Sequence, residues 1–246
     1  MRILAAHIVD FRNITNAHVH PAPRVTVLMG SNGQGKTNFL EAMYAVAALR
    51  PLRNANRRDL VRAGAQRCEV RVEVESQRTG LVHALTFALE RGVRTLTKEG
   101  KRAEAAEFLG HLVAVAFTPD DLEISKGSPE VRRRFIDRAL LNAQPAYLER
   151  ALRYSQVMKA RNKLLGRPTI DEALIDSYDD ALAGVGAEIV NARSRFVQAL
   201  APRIEQHFKD IAAPAPSLVV RYASTLGSDL EDVGAVRGRF VGLLAA

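Results

Sequence analysis

Gly30-Ser31-Asn32-Gly33-Gln34-Gly35-Lys36-Thr37 satisfies the spacing G-x-x-x-x-G-K-[ST] in full, and it is the one stretch of this chain whose chemistry can be read directly. Glycines are needed there because the backbone must turn tightly and bring its N–H groups against phosphate oxygens, which a Cβ would obstruct. Lys36 would reach the β- and γ-phosphates of a bound nucleotide, and the Thr37 hydroxyl would be a ligand of its Mg²⁺. A helix that begins at about Lys36 adds the positive end of its dipole to the same point. The chemistry implied is capture of a phosphorylated nucleotide by Gly30, Ser31, Asn32, Gly33, Gln34, Gly35, Lys36 and Thr37.

Positive charge is the second chemical feature. Between Lys126 and Arg167 eleven basic residues face three acidic ones, an excess equal to the +8 net charge of the whole chain. An earlier stretch holds Arg50, Arg53, Arg57, Arg58, Arg62 and Arg67 against Asp59 alone. Concentrated positive charge attracts polyanions by releasing their condensed counterions. On a helix after Pro145, Arg150, Arg153 and Arg161 fall within about 80° of one another, a stripe able to track DNA phosphates. Arg132, Arg133 and Arg134, with Asp137, form a further basic cluster that could line nucleotide or DNA. His18 and His20 alternate on a strand-like stretch with no third ligand near in sequence, so no metal site is expected from them. Cys68 reads as a small buried apolar residue.

The elements that must position these groups follow from hydrophobic spacing. Arg24–Met29 is a short β-rich run ending at Gly30, and from Thr37 the residues Phe39, Leu40, Met43, Val46 and Ala47 take helical spacing until Pro51. Val70, Val72 and Val74 alternate with Arg71, Glu73 and Glu75, and Leu85, Phe87 and Leu89 repeat that period, with a turn at Arg91-Gly92. Leu112–Phe117 is apolar throughout and reads as a buried strand. The main boundary is placed just after it, giving an ATP-binding lobe over 1–118 and a mainly helical lobe over 119–246. Within the second lobe, Tyr147, Ala151, Tyr154 and Met158 share a face, and Gly166-Arg167-Pro168 is a strong stop. Ile175, Tyr178, Leu182, Val185, Ile189, Ala192, Phe196 and Ala199 then recur at steps of three and four until Pro202. These two segments predict an antiparallel helical hairpin over about 145–201, followed by a terminal strand at Leu218–Tyr222.

Composition sets the class. With 246 residues, 47% of them hydrophobic and 25% charged, the chain can bury a core and is not expected to be disordered. One cysteine excludes a disulfide framework and C-x-x-C zinc spacing, which fits a reducing cytoplasm. The N-terminus meets His7 and Asp10 too early for a signal peptide, and no apolar run is long enough for a membrane span.

The neighbours of the Gly-rich loop carry a resemblance. Val9-Asp10-Phe11-Arg12-Asn13, followed by Gly30 through Thr37 and Asn38, is similar to the head of the SMC-like ATPases, and N-G-x-G-K-T-N to their RecF branch. Pro119-Asp120-Asp121-Leu122-Glu123-Ile124-Ser125-Lys126-Gly127-Ser128-Pro129, with Arg132-Arg133 and Phe135-Ile136-Asp137 after it, resembles the RecF family signature. Ser125 departs from it, standing where the family usually has an aliphatic residue. The resemblance covers Met1 to roughly Arg221. It implies an α/β P-loop NTPase of the ABC/SMC-like head type with a second, mainly helical lobe. It also implies ATP and Mg²⁺ as cofactors, with Arg12 and Asn13 approaching the nucleotide.

As implied partners it gives DNA, both duplex and single-/double-strand junctions, a RecR-type mediator, and a second copy in an ATP-dependent homodimer if the chain is complete. The implied setting is cytoplasmic, with no membrane, in DNA replication, recombinational repair and the SOS response. The family's S-x-G-Q signature and Walker B run are not found in these 246 residues. The expectation is therefore a RecF-like chain truncated before both motifs, with binding defensible and turnover not. The alternative is a truncated non-catalytic module that binds nucleotide or DNA. A nucleotide kinase is disfavoured because no substrate lid or acceptor site is visible.

Overall fold

The computed structural model describes every residue except 54, 55, 145, 170, 213, 215, 216 and 246. It divides into two compact units, Met1–Ser128 and Pro129–Ala246, so the division falls later than the expected 118.

Among the described residues, the first unit contains six strands and three α-helices: β1 (Arg2–Phe11), β2 (Ile14–Val19), α1 (Lys36–Ala48), β3 (Arg67–Glu75), β4 (Val82–Glu90), β5 (Val93–Lys98), β6 (Lys101–Arg102), α2 (Ala105–Phe108) and α3 (Glu123–Lys126). The strands form one antiparallel sheet in the order β2-β1-β3-β4-β5-β6. Alternation decides the buried face: Val70, Val72 and Val74 of β3 are fully buried, as are Leu85 and Leu89 of β4. Their opposite neighbours carry the polar residues to water. Cys68, buried at the start of β3, belongs to this core. Helix α1 supplies the other side, and its residues Glu41–Ala47 are buried without a break. Leu40, expected on the apolar face, is exposed instead.

Three runs expected as strands carry no strand pairing among the described residues. Residues 24–29 before the Gly-rich loop leave Val25, Val27 and Met29 exposed. In 112–117 only Leu112 is buried, while Val115 and Phe117 stand out at 95% and 81% exposure. Residues 218–222 are likewise unpaired. β-propensity reflects fit to a paired, half-covered surface, and no described strand lies beside these runs to provide one.

The second unit holds α4 (Pro129–Ala143), α5 (Tyr147–Leu165), α6 (Glu172–Ala212) and α7 (Val233–Leu244). Helices α5 and α6 form a hairpin, interrupted at Gly166-Arg167-Pro168. Pro145, its expected start, lies outside the described residues. Tyr147, Ala151 and Tyr154 meet Val185, Ile189, Ala192 and Phe196 in one cluster. Helix α6 does not stop at Pro202 but runs ten residues further, to Ala212. Proline removes one i→i−4 hydrogen bond, while the turns beyond it keep their own. Helix α7 has no counterpart among the elements read from hydrophobic spacing. The Asp232 carboxylate caps it, accepting from the N–H groups of Gly234 (2.8 Å) and Ala235 (3.2 Å).

Candidate functional site

The Gly-rich loop runs into the N-terminus of α1 in the first unit. Gly33 (φ 82°) and Gly35 (φ 95°) occupy left-handed conformations that a side chain rarely adopts, and a Cβ on Gly35 would stand 3.0 Å from Asn13 Oδ1. Phe39 is the first residue of α1 whose N–H bonds back into the helix, at Gly35 O (2.8 Å). The N–H groups of Lys36, Thr37 and Asn38 therefore remain at the open end, as helix geometry requires. The Lys36 ammonium lies over the loop, donating to the carbonyls of Gly30 and Ser31 at 2.7 Å each. Thr37, at the open end of the helix, is exposed. Glycine backbone, N–H groups without a described partner, a lysine over the loop and a hydroxyl beside it are groups that can receive phosphate oxygens.

Arg12 and Asn13 reach this region in different ways. Asn13 touches the loop directly, its Nδ2 donating to Gly33 O at 2.6 Å. Arg12 turns to Glu41 of α1, donating from Nε (3.0 Å) and Nη2 (3.1 Å), with Nη1 on Asp59 O (2.8 Å). Glu41 is fully buried and takes a third bond from Arg53 Nη2 at 2.7 Å. The same Arg53 nitrogen donates to Asn38 Oδ1 (2.6 Å), and Asn38 Nδ2 donates to Asn13 Oδ1 (2.8 Å). Burial works to raise the Glu41 carboxyl, but hydrogen bonds and charge from Arg12 and Arg53 win and hold it below its ordinary value. The motif spacing does not single out Glu41. The available signal is a lone carboxylate inside the apolar run Phe39–Ala47.

The proposed DNA stripe lies on α5 in the second unit. Arg150 pairs with Glu188 at 3.0 Å, and Arg161 forms a fork with Asp179, with Nη2 also 3.4 Å from Leu244 O. Arg153 is exposed. Asp137 binds Arg193 in a fork (2.7 and 2.8 Å) and accepts from the Tyr147 hydroxyl (2.7 Å), so it serves the interior of this unit. Arg132 and Arg133, with Arg193 and Arg221, line a cleft of about 870 Å³ in the same unit. In the first unit, Arg57 and Arg58 of the earlier basic stretch are exposed. His18 lies between His7 and His20, with ring centroids 5.8 and 4.6 Å away, and no group among the described residues has the arrangement of a metal site. No helix among the described residues is long and apolar enough to cross a membrane.

No family model matches the chain. Individual proteins do. The chain is 40% identical over 224 residues to the DNA replication and repair protein RecF of Myxococcus xanthus (strain DK1622), covering 90% of this chain and 58% of that protein. It is 30% identical over 236 residues to the protein of the same name from Streptococcus agalactiae serotype V, covering 96% and 63%. A solved structure of the recombination mediator protein RecF with ATP, in the RecFOR pathway, superposes with a TM-score of 0.93 at 25% identity, over 99% of this chain and 66% of that one. The chain thus spans about three-fifths of the length of the curated relatives it matches.

Proposed function

This chain is a RecF-family sequence, and from that premise we propose that it binds ATP with Mg²⁺ at Gly30–Thr37 and engages DNA in cytoplasmic replication and recombinational repair. The observation that carries the reading is the Gly-rich loop delivered to the open N-terminus of α1 with Lys36 lying over it. Asn13 supports the loop from the side. The Thr37 hydroxyl would hold the nucleotide's Mg²⁺. In the complete family architecture two such heads would close on ATP, hold DNA at gaps or single-/double-strand junctions, and work with a RecR-type mediator to load recombinase at stalled forks, within the SOS response. These roles extend to this chain by family likeness.

Thermal unfolding with nucleotide tests the first half. A ligand bound to the folded state alone raises the midpoint by mass action. Mg-ATP is expected to do so, and AMP, which lacks the phosphates Lys36 would reach, to have little effect. Equal midpoints with ATP, AMP and neither would contradict the assignment. A salt titration of duplex binding tests the second half, since each neutralised phosphate contributes about −0.9 to the log–log slope. The proposed contacts are Arg150, Arg153 and Arg161, which should act without sequence preference because phosphate contacts do not read bases. With Arg150 and Arg161 already facing carboxylates, Arg153 should carry most of the stripe's effect. If a change of all three to Ala leaves the slope intact while Arg57→Ala with Arg58→Ala reduces it, DNA lies over the first unit.

A further inference from the structure

We infer that Glu41 is a positioning residue for the nucleotide site, acting through Arg53, Asn38 and Asn13 on the peptide plane of Gly33. The inference rests on the reading of Gly30–Thr37 as that site. Glu41 itself touches no residue of the loop in any described hydrogen bond. Its carboxylate holds Arg53 (2.7 Å), Arg53 holds Asn38 (2.6 Å), Asn38 holds Asn13 (2.8 Å), and Asn13 holds Gly33 O (2.6 Å).

Donor and acceptor chemistry gives this chain one direction. A guanidinium only donates, so Asn38 must turn its oxygen to Arg53 and its NH₂ to Asn13. Asn13 must then accept with its oxygen and donate with its NH₂, which meets a carbonyl that can only accept. Both ends demand the same orientation of both amides. The consequence falls on the loop because a trans peptide is planar, with C=O and N–H on opposite edges. Fixing Gly33 O toward Asn13 aims the Gln34 N–H away from Asn13, where it can donate to a phosphate. Without the anchored guanidinium, only the Gly33 carbonyl selects the two amide orientations, so the loop would orient the amides instead of being held by them. Glu41 provides the anchor, and Arg12 on its other side keeps the carboxylate ionised and fixed.

A double-mutant cycle on ATP affinity tests this. Titration calorimetry with Mg-ATP would compare the wild type with Glu41→Gln, Asn38→Ala, the double variant and Lys36→Ala, at a temperature where circular dichroism shows each folded. Glu41→Gln and Asn38→Ala should each weaken ATP about tenfold, the scale of one hydrogen bond to a charged group. Because both act through one chain, the double variant should be no weaker than about tenfold, where independent effects would multiply to about a hundredfold. Wild-type affinity in a folded Glu41→Gln would reduce Glu41 to a packing role and overturn the proposal, and a multiplied double effect would also overturn it. If Glu41→Gln does not fold, Asn38→Ala decides alone, and wild-type affinity there rejects the chain of bonds. Lys36→Ala separates the two levels. If it retains wild-type affinity, the nucleotide reading itself falls; if it alone abolishes binding, that reading stands and only the Glu41 proposal is lost.

Discussion

Arginine meets carboxylate in both compact units, but the two settings differ in how much water they admit. In the first unit Glu41 is completely buried and receives Arg12 and Arg53. In the second, the Arg193–Asp137 and Arg161–Asp179 pairs are partly covered, and Arg150–Glu188 stands in solvent at 40% and 49% side-chain exposure. A pair's contribution depends on this access. Breaking a buried pair leaves a charge that water cannot reach, whereas an exposed pair is screened and mobile. The basic window from Lys126 to Arg167 is therefore less free than its composition implies, since two of its arginines are answered by carboxylates on α6. The smaller arginine group around Glu41 is the more tightly bound.

The largest effect should come from Glu41→Gln, about 3 kcal/mol of stability in the first unit, because Arg12, 17% exposed, loses a buried counter-charge, while Arg53, 46% exposed, is reached by water. Amide exchange in β1 and β3 reports that unit separately. The pH dependence has a definite sign. The Glu41 carboxyl sits below its ordinary value near 4.5 in the folded state. Its stabilisation is full above that value and is lost as pH falls through the lower folded one. Glu41→Gln should therefore flatten the acid limb of the stability profile, and an unchanged limb would show that other carboxylates control it.

A smaller loss is expected from Asp137→Asn. Burial works against the Arg193 charge, and hydrogen bonds and charge from Asp137 more than reverse this, so neutralising Asp137 should cost about 1–3 kcal/mol. Urea unfolding followed by tyrosine fluorescence measures it, since four of the five tyrosines belong to this unit. Arg150→Ala should cost under about 1 kcal/mol and lose even that at high salt. A cost as large as that of Asp137→Asn would break the ranking by exposure.

Fixed spacing and strict alternation were legible in the sequence. The Gly-rich loop, the start of α1 at Lys36, the alternation of β3 and the hairpin stop at Gly166-Arg167-Pro168 all depend on neighbours close along the chain. The runs 24–29 and 112–117 looked equally strand-like but lack a partner ladder, which local sequence does not report. Helix α7 carries a cap at Asp232 and apolar residues at Val233, Val236 and Phe240, but Gly234, Gly238 and Gly242 obscure the pattern. The Glu41 network stayed hidden because its arginines lie 29 and 12 residues away, beyond helical spacing. Distance along the chain likewise hid the partners of Arg150 and Arg161.

The central claim is that Gly30–Thr37 is a nucleotide site, and binding of Mg-ATP to Lys36→Ala measures it most directly. Lys36 faces the loop carbonyls and not the core, so the variant should fold like the wild type while ATP binding, followed by calorimetry, disappears. Equal ATP affinity in the folded variant and the wild type would contradict the account.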